Sequence, residues 1–524
     1  MTNNTDQSLN IPDALQSALR HHQKGELQKA EAVYRQILRA DKGNADALHL
    51  LGVIAYQSGR NTEAIELIGK AICVNQNVPI FHNNLGLAFH GQGKLEEAMA
   101  CYSRALSLNP VFPEAYNNLG NVFQGQGKSE EAIACFNRAL SLNPGYPEAH
   151  NNLGNMFKEQ GKSEEAIACY SRALSLNPGY PESHNNLGAV FKEQGKLEEA
   201  RACFNRAMSL KPDYPEARFN SGLLSLLQGD FEEGWRSYEY RRSFSDIKHL
   251  KCVQPQWHGG DAGDKTILIW AEQGFGDMVQ FIRYVSLVSE RCGKVIVECQ
   301  KELVSIIRRI NLIDKVVERG DQIPDFDFHC PVMTLPLLLK TDIETIPAAI
   351  PYINIDPEKI SDWRRRIGVD NGGFKVGLCW AGNPRHKYDR SRSLSLEKLS
   401  PLSELEGVVF YSLQKGKAVG QMKEAQDIMG LVDYTDHLND FSDTAALIEN
   451  LDLVISVDTA VVHLAGAMGK RVWTLLPYIP DWRWLLYRSD SPWYPSMRLF
   501  RQPEYGDWDS VIKLVRDELA QFKR

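Results

Sequence analysis

The stretch NNLGNVFQGQGKSEEAIACFNRALSLNP, residues 117–144, decides the fold of the first half of this chain, because nearly the same letters recur at a fixed spacing. Further copies begin at residues 83, 151 and 185, which sets the period at 34 residues. Small, aromatic and proline residues hold fixed positions in each copy; here they are Leu119, Gly120, Phe123, Ala132, Phe136, Ala139 and Pro144. This pattern predicts one helix pair per copy, with neighbouring pairs stacked into a solenoid.

Weaker copies extend the array in both directions, marked by Ala30, Tyr34, Gly52, Ala64 and Ala71 upstream and by Gly222 and Trp235 downstream. About seven units are therefore expected over residues 11–245, after a flexible N-terminus at 1–10. Prolines recur where each second helix should end, at positions 110, 144, 178 and 212. The pattern resembles the tetratricopeptide repeat, whose curved arrays usually bind a peptide or protein.

A row of amides occupies one position of five successive first helices: Asn84, Asn118, Asn152, Asn186 and Asn220. The apolar contacts belong to the residues that follow, so we expect these amides to be free for binding. An amide both donates and accepts hydrogen bonds, which suits a polypeptide backbone. The row resembles the asparagine ladder of O-linked N-acetylglucosamine transferase, which holds the acceptor polypeptide. The alternative is that repeat duplication merely copied a solvated asparagine.

Composition narrows the class of protein. The chain has 524 residues, a net charge of −7 and 43% hydrophobic residues, which indicates several globular domains and no nucleic-acid partner. No apolar run reaches the roughly 20 residues that a membrane helix needs, and the N-terminus lacks a signal peptide, so we expect a cytoplasmic protein. Cys101, Cys135, Cys169 and Cys203 recur with the repeat and have no C-x-x-C spacing, which argues against a metal site.

The second half alternates strands and helices, which predicts parallel sheets. After a linker at 246–263, the strands KTILIW, KVIVECQ and DKVVERG form a first lobe at 264–356. The strands FKVGLCWAG, GVVFYSLQKG, DLVISVD and KRVWTLLP form a second lobe at 357–524. The expected fold is an all-α tetratricopeptide-repeat solenoid followed by an α/β unit of two Rossmann-like lobes, with ligands bound at the carboxyl ends of the strands.

VISVDTAVVHLAGAMGK, residues 454–470, joins a buried strand to a helix in the second lobe. A helix that starts near Ala460 directs free N–H groups and a positive dipole end outward, which suits a phosphate. Thr459 either caps this helix or binds a phosphate oxygen, and His463 lies one turn further on and is expected to face the cleft. The alternative is that Asp458 and Thr459 only cap the helix and that His463 is solvated.

The run SVDTAVVHLAGAMGK resembles the Asp-Thr-Gly-x-x-His-x-Ala signature of the heptosyltransferases, with Ala460 in place of the glycine. EQGFGDMVQFIRY, residues 272–284, is similar to the Gly-Asp turn of that family's first lobe. The resemblance implies a GT-B glycosyltransferase that takes a nucleotide sugar and needs no metal or other cofactor. It implies diphosphate contacts from Asp458, Thr459, Ala460 and His463.

Basic and polar side chains after other strands are further donor-binding candidates: Lys387, Arg392, Gln414 and Lys415. Asp277 is the preferred general base and Glu272 its alternative, because a carboxylate can take the proton of an attacking acceptor. The acidic DFD at 325–327 follows no nucleotide-binding sheet and is discounted as a metal site.

Trp482, Trp484 and Trp493 either stack on a base or sugar or fix the tail to the sheet. The C-terminal helix WDSVIKLVRDELAQFK is expected to pack on the first lobe.

Three functions fit these observations. The first is sugar transfer from a nucleotide donor to a polypeptide held by the repeats. The second is transfer to a glycan or small acceptor, with the repeats docking the enzyme. The third is an adaptor with a degenerate transferase half. In all three, the phosphate-binding elements lie beyond residue 264, so nucleotide binding is expected to survive removal of residues 1–245.

Overall fold

The computed structural model describes residues 10–244, 252–368, 373–386, 389–422 and 430–523. The chain divides into two compact units, residues 1–190 and 191–524. In the described part of the chain, no helix is both long enough and apolar enough to cross a membrane.

The repeats form seven helix pairs over the described residues. Their helices are α1 Ile11–Gln23, α2 Leu27–Ala40, α3 Ala45–Gln57, α4 Asn61–Val74, α5 Pro79–Gly91, α6 Leu95–Leu108, α7 Pro113–Gly125, α8 Ser129–Leu142, α9 Pro147–Glu159, α10 Ser163–Leu176, α11 Pro181–Glu193, α12 Leu197–Leu210, α13 Pro215–Leu227 and α14 Phe231–Tyr238. A Cβ on Gly120 would lie 2.6 Å from the Phe136 ring, so the marker glycine lets the two helices of a pair meet. The predicted solenoid is confirmed.

The second unit holds two parallel sheets. Their strands are β1 Thr266–Trp270, β2 Lys294–Cys299, β3 Lys315–Glu318, β4 Phe328–Pro331, β5 Phe374–Cys379, β6 Val408–Ser412, β7 Leu453–Val457, β8 Val472–Leu476 and β9 Met497–Arg501. The first sheet has the order β3-β2-β1-β4 and the second β6-β5-β7-β8-β9. In register, Ile269 of β1 lies opposite Val297 and Cys330, and Ile455 of β7 lies opposite Leu378 and Trp473.

Nine further helices connect these strands within the described residues. They are α15 Phe275–Phe281, α16 Val285–Ser289, α17 Val304–Ile307, α18 Leu335–Leu338, α19 Pro357–Ile367, α20 Asp389–Arg392, α21 Phe441–Glu449, α22 Ala460–Ala467 and α23 Trp508–Phe522. The C-terminal helix α23 does not pack on the first lobe as expected. Its apolar face, including Val515 and Leu519, lies in one core with Val376 and Leu402 of the second lobe.

The predicted α/β fold and its strands are confirmed, and two strands were not predicted. FHCP of β4 has only four residues and ends in proline, and MRLFR of β9 carries two arginines, so neither shows a continuous apolar run. Within residues 252–263 of the predicted linker, one side chain is anchored in the core. Trp257 is buried, and its backbone N–H donates to the His329 carbonyl of β4 at 2.8 Å.

The second unit begins inside the repeats, at residue 191, whereas the predicted domain boundary lies at 245. One continuous apolar core explains this difference. It joins Phe231 and Trp235 of α14 to Ile269 of the first lobe and to Val462 and Trp484 of the second. The last helix pair is therefore built into the α/β unit.

Candidate active site

Two short helices meet where the carboxyl ends of the two sheets come together. Helix α15 follows β1 of the first lobe, and α22 follows β7 of the second. A Cβ on Gly276 of α15 would lie 2.9 Å from Cδ2 of His463 and 3.5 Å from Cα of Ala460. The two helices therefore touch at Gly276, where no side chain holds them apart.

Asp277 lies in the first turn of α15. Its Oδ2 accepts from the Gly274 N–H at 2.8 Å, which caps the helix. Its Oδ1 pairs with Nη2 of Arg483 from the second lobe. The cap and the predicted role as base are compatible, because each carboxylate oxygen has a second lone pair.

Arg483 is a buried cation at the centre of the site. Its Nη1 donates to Asp481 Oδ1 at 2.8 Å and its Nε to Gln280 Oε1 at 2.7 Å. Burial alone would lower the pKa of Arg483, but Asp481 and Asp277 raise it above its ordinary value. The guanidinium is therefore permanently charged and connects the first lobe to the loop after β8.

Asp458 lies at the end of β7, buried on the same side. Burial and the charge of Asp481 raise the pKa of Asp458 to about 6, against the opposing charge of Arg392. Burial would also raise the pKa of Asp481, but Arg483 lowers it below its ordinary value. Asp481 is therefore ionised at neutral pH, whereas Asp458 takes up a proton as the pH falls through about 6.

His463 is buried between the two helices of the site. Only 5% of it is exposed, and it lies beneath Gly276, so the prediction that it faces an open cleft is wrong. Its Nδ1 lies 3.0 Å from the Tyr494 hydroxyl, its Nε2 lies 3.9 Å from Asp458 Oδ1, and its ring stacks on Trp484. Burial, together with nearby arginines, holds the pKa of His463 well below its ordinary value, so the ring is neutral.

Thr459 and Ala460 remain partly exposed at the start of α22. The Thr459 hydroxyl does not cap the helix and lies 3.2 Å from Ser456 Oγ. The first N–H groups of any α-helix have no partner inside the helix. The start of α22 and the Thr459 hydroxyl therefore lie side by side, and phosphate binding by them stays a prediction.

Arg392 ends α20 in the loop after β5, where its Nε pairs with Asp389 Oδ1 at 3.4 Å. Its charge opposes the burial that raises the pKa of Asp458 and adds to the burial that lowers the pKa values of His463 and His386. His386 was not predicted. Burial and Arg392 lower the pKa of His386, whereas Asp481 and Asp277 raise it. Lys387 lies outside the described residues.

Gln414 and Lys415 follow β6, as predicted, but both side chains bond to backbone. Gln414 is 2% exposed, accepts from the Trp380 and Ala381 N–H groups at 3.0 and 2.9 Å and donates to the Ala381 carbonyl. Lys415 Nζ donates to the carbonyls of Thr435 and Leu438 at 3.0 and 2.9 Å. The burial and bonds of Gln414 are at odds with a direct nucleotide contact by that side chain. Lys415 is exposed and its ammonium has a third N–H donor, so a nucleotide contact by Lys415 stays a prediction.

Glu272 is equally at odds with its predicted role as the alternative base. Its side chain is fully buried and paired with Arg241, with Nε–Oε2 at 3.1 Å and Nη2–Oε1 at 2.8 Å. Oε1 also accepts from the Met333 N–H. An acceptor substrate therefore has no access to this carboxylate.

The amide row is built into the repeats. Asn118 Nδ2 donates to Asn83 Oδ1 at 3.0 Å, and Asn152 Nδ2 donates to Asn117 Oδ1 at 3.0 Å, each in the preceding repeat. The same bond runs from Asn186 to Asn151 at 3.1 Å, and Asn84 Nδ2 contacts His49 Nε2 at 2.8 Å. The expectation that packing has no use for these amides is wrong, because their donors tie successive repeats together. Asn220 is half-buried in the second unit.

Two further interpretations are resolved. Trp482, Trp484 and Trp493 are at most 3% exposed, so they fix the chain to the core rather than offer a stacking surface. Asp327 of the DFD segment accepts from the Thr266 N–H at 2.9 Å, at the amino end of β1 and the opposite edge of the sheet from the site. The sequence analysis did not single out Asp481 and Arg483. The signal that could have identified them is an acidic and a basic residue close together in PDWRW, residues 480–484, which follows a predicted strand.

Comparison with known proteins agrees with both halves of the architecture. Tetratricopeptide repeat models match residues 113–146 and 135–168, with related repeat models over 15–79 and several stretches between 89 and 229. The model of glycosyltransferase family 9 (heptosyltransferase) matches residues 435–502. The chain is therefore similar to tetratricopeptide repeats in its first half and to glycosyltransferase family 9 over the segment 435–502. That segment includes Asp458, His463, Asp481 and Arg483.

Individual relatives are similar over parts of the chain. Protein FlbA of Caulobacter vibrioides is 29% identical over 314 residues, 55% of this chain and 52% of FlbA, so the match spans about half of that relative. The crystal structure of MamA is 27% identical over 31% of this chain and 94% of its own, with a TM-score of 0.28. PilF of Pseudomonas aeruginosa is 22% identical over 40% of this chain and 95% of its own, with a TM-score of 0.36.

Proposed function

We propose that this protein transfers a sugar from a nucleotide sugar to a polypeptide acceptor held by the repeats. One observation carries the proposal. The family 9 segment supplies Asp458, Thr459 and Arg483 at the carboxyl edge of one sheet, and Arg483 pairs with Asp277 from the carboxyl edge of the other.

The chemistry assigned to this arrangement is a displacement at the anomeric carbon. Asp277 takes the proton of the acceptor hydroxyl as its oxygen bonds to that carbon. The bond from the carbon to the diphosphate breaks, and the electron pair leaves with the diphosphate. The N-terminus of α22, the Thr459 hydroxyl and Arg392 stabilise that charge. We expect no metal requirement, because these groups supply the positive field.

The donor half of the proposal is tested by thermal shift with a panel of nucleotide sugars and the matching nucleoside diphosphates. Arg392→Ala and Thr459→Ala should each weaken binding of the active nucleotide about 10–150-fold, since each removes a contact worth roughly 1.5–3 kcal/mol at a charged group. Arg516→Ala is the control, because Arg516 lies on the surface of the same lobe and pairs only with surface acids among the described residues. Binding that is unchanged in both site variants would refute the donor site.

The base is tested by Asp277→Asn, measured as transfer to polypeptide and as hydrolysis of the donor. Asparagine preserves an acceptor for the Gly274 N–H but removes the basicity. Transfer should fall by about 10²–10⁴-fold while nucleotide affinity stays near that of the parent. An unchanged rate would exclude Asp277 as the base. Activity on glycans alone would favour the docking role of the repeats, and nucleotide binding without turnover would favour a degenerate adaptor.

A further inference from the structure

The last helix pair reaches the loop that carries Arg483. Trp235 of α14 packs edge-on against Trp482, with ring centroids 5.1 Å apart, and Tyr238 packs against the same indole at 5.8 Å. The Trp235 indole N–H donates to the Thr341 carbonyl at 3.0 Å, which fixes its ring plane. All three aromatic side chains are buried.

Trp482 in turn supports the cation of the site. The Arg483 guanidinium lies over the Trp482 ring, 4.4 Å from its centroid, and the same guanidinium holds Asp277 and Asp481. The position of Trp482 therefore sets where Arg483 reaches, and Arg483 sets the orientation of the Asp277 carboxylate.

A second connection comes from the turn that follows α14. Arg241, in the 3-10 turn Glu239–Ser243, forms the buried ion pair with Glu272 and also donates to Thr334 Oγ1 at 2.8 Å. Burial would lower the pKa of Arg241, but Glu272 and Glu239 raise it, so the pair stays charged. Glu272 lies two residues after β1 and starts the loop that leads to Gly274 and Asp277.

We propose that the last helix pair positions the active site, with Trp235 and Arg241 as positioning residues that hold the Asp277 carboxylate from two sides. The repeats are then more than a substrate holder, because their last member sets the geometry of the general base. The catalytic part of this inference rests on the proposed function; the structural coupling does not.

Hydrogen exchange in the full-length protein tests the coupling without any substrate. Trp235→Leu should raise exchange about tenfold or more in peptides that span residues 272–281, where the Asp277 carboxylate protects the start of α15. Trp473→Leu is the matched control, since it removes an equally buried indole that packs against Phe500 and Phe522, on β9 and α23. Trp235→Phe keeps a ring against Trp482 and should stay near the parent.

Two results would overturn the coupling: equal exchange at 272–281 in Trp235→Leu and parent, or an equal rise in the Trp473 control. If Trp235→Leu does not fold, Arg241→Lys, which keeps the charge but cannot make both bonds to Glu272, is compared in the same way, and unchanged exchange in that variant overturns the coupling. Activity then separates the two proposals. With the coupling confirmed, Trp235→Leu should lower kcat at least tenfold with donor affinity unchanged, and should add little to Asp277→Asn. Raised exchange without any transferase activity in the parent would refute the proposed function and leave the coupling standing.

Discussion

Asp458 shows how one buried carboxyl links the site to stability. Its pKa is higher in the folded chain than its ordinary value, so the folded state binds more protons than the unfolded state between about pH 4 and 6. Stability from this group is thus present at acid pH and lost as pH rises through about 6. At neutral pH the ionised Asp458 carboxylate therefore lowers the free energy of unfolding.

Asp458→Asn should therefore stabilise the protein by about 1–3 kcal/mol at pH 7.5, with the gain shrinking toward pH 4.5. Calorimetric melting across this range measures the difference from the parent. Asp440→Asn is the control with the opposite sign. Although burial opposes it, hydrogen bonds from Ser442 and Ser305 lower the pKa of Asp440, so that variant should lose stability at neutral pH and less at acid pH. A gain for Asp458→Asn that does not depend on pH would contradict the assignment.

At the scale of elements, the contact between α15 and α22 depends on one missing side chain. Gly276→Ala would put a Cβ at 2.9 Å from His463, whose ring is held by Trp484 and Tyr494 and has little freedom to move. We expect a loss of about 1–3 kcal/mol from overpacking and weaker nucleotide binding, measured by denaturant melts and thermal shift. Gly69→Ala in α4 is the control, because its Cβ meets nothing within 4 Å; it should be neutral or slightly stabilising. Equal effects in the two variants would mean that the helices do not meet as described.

The amide row makes a second prediction at this scale. Replacing Asn118, Asn152 and Asn186 by Ala removes the inter-repeat donors, so each change should cost about 0.5–1.5 kcal/mol of repeat stability. Transfer to polypeptide should fall further than this loss explains, while donor hydrolysis stays constant. Asn137→Ala and Asn205→Ala, at exposed positions of second helices, are the controls. A loss of stability without a selective loss of transfer would show that the amide row stabilises the repeats and does not bind the acceptor.

At the scale of the molecule, the repeats cannot be removed at residue 245 without damage. A fragment of residues 246–524 lacks Arg241, the buried partner of Glu272, and removing one partner of a buried ion pair costs about 3–5 kcal/mol. That fragment should fail to fold or to bind nucleotide, contrary to the expectation from motif positions alone. A fragment of residues 181–524 keeps the second unit whole, with α11 complete, and should melt cooperatively and bind nucleotide.

Glu272→Gln in the 246–524 fragment separates charge from packing. It should recover part of the lost stability, because a neutral amide is cheaper to bury than an unpaired carboxylate. Circular dichroism melts of the three fragments measure this. A folded 246–524 fragment that matches the longer one in stability and binding would show that the last helix pair is dispensable.

Elements with local signals were predictable from the residues alone. The 34-residue period fixes which residues face one another within a helix pair, as Gly120 and Phe136 do, and apolar runs mark most strands. The strand-to-helix turn at Asp458 and Thr459 could be predicted from the sequence because its residues are neighbours in the chain. The partners of the site residues, in contrast, are set by packing between distant parts of the chain. Arg483 and Asp277 are 206 residues apart in the chain. Glu272 follows a strand as a catalytic acid would, but in the folded chain it is buried against Arg241. A side chain's role in a site depends on which distant group neutralises or exposes it, and that is set by how the elements pack.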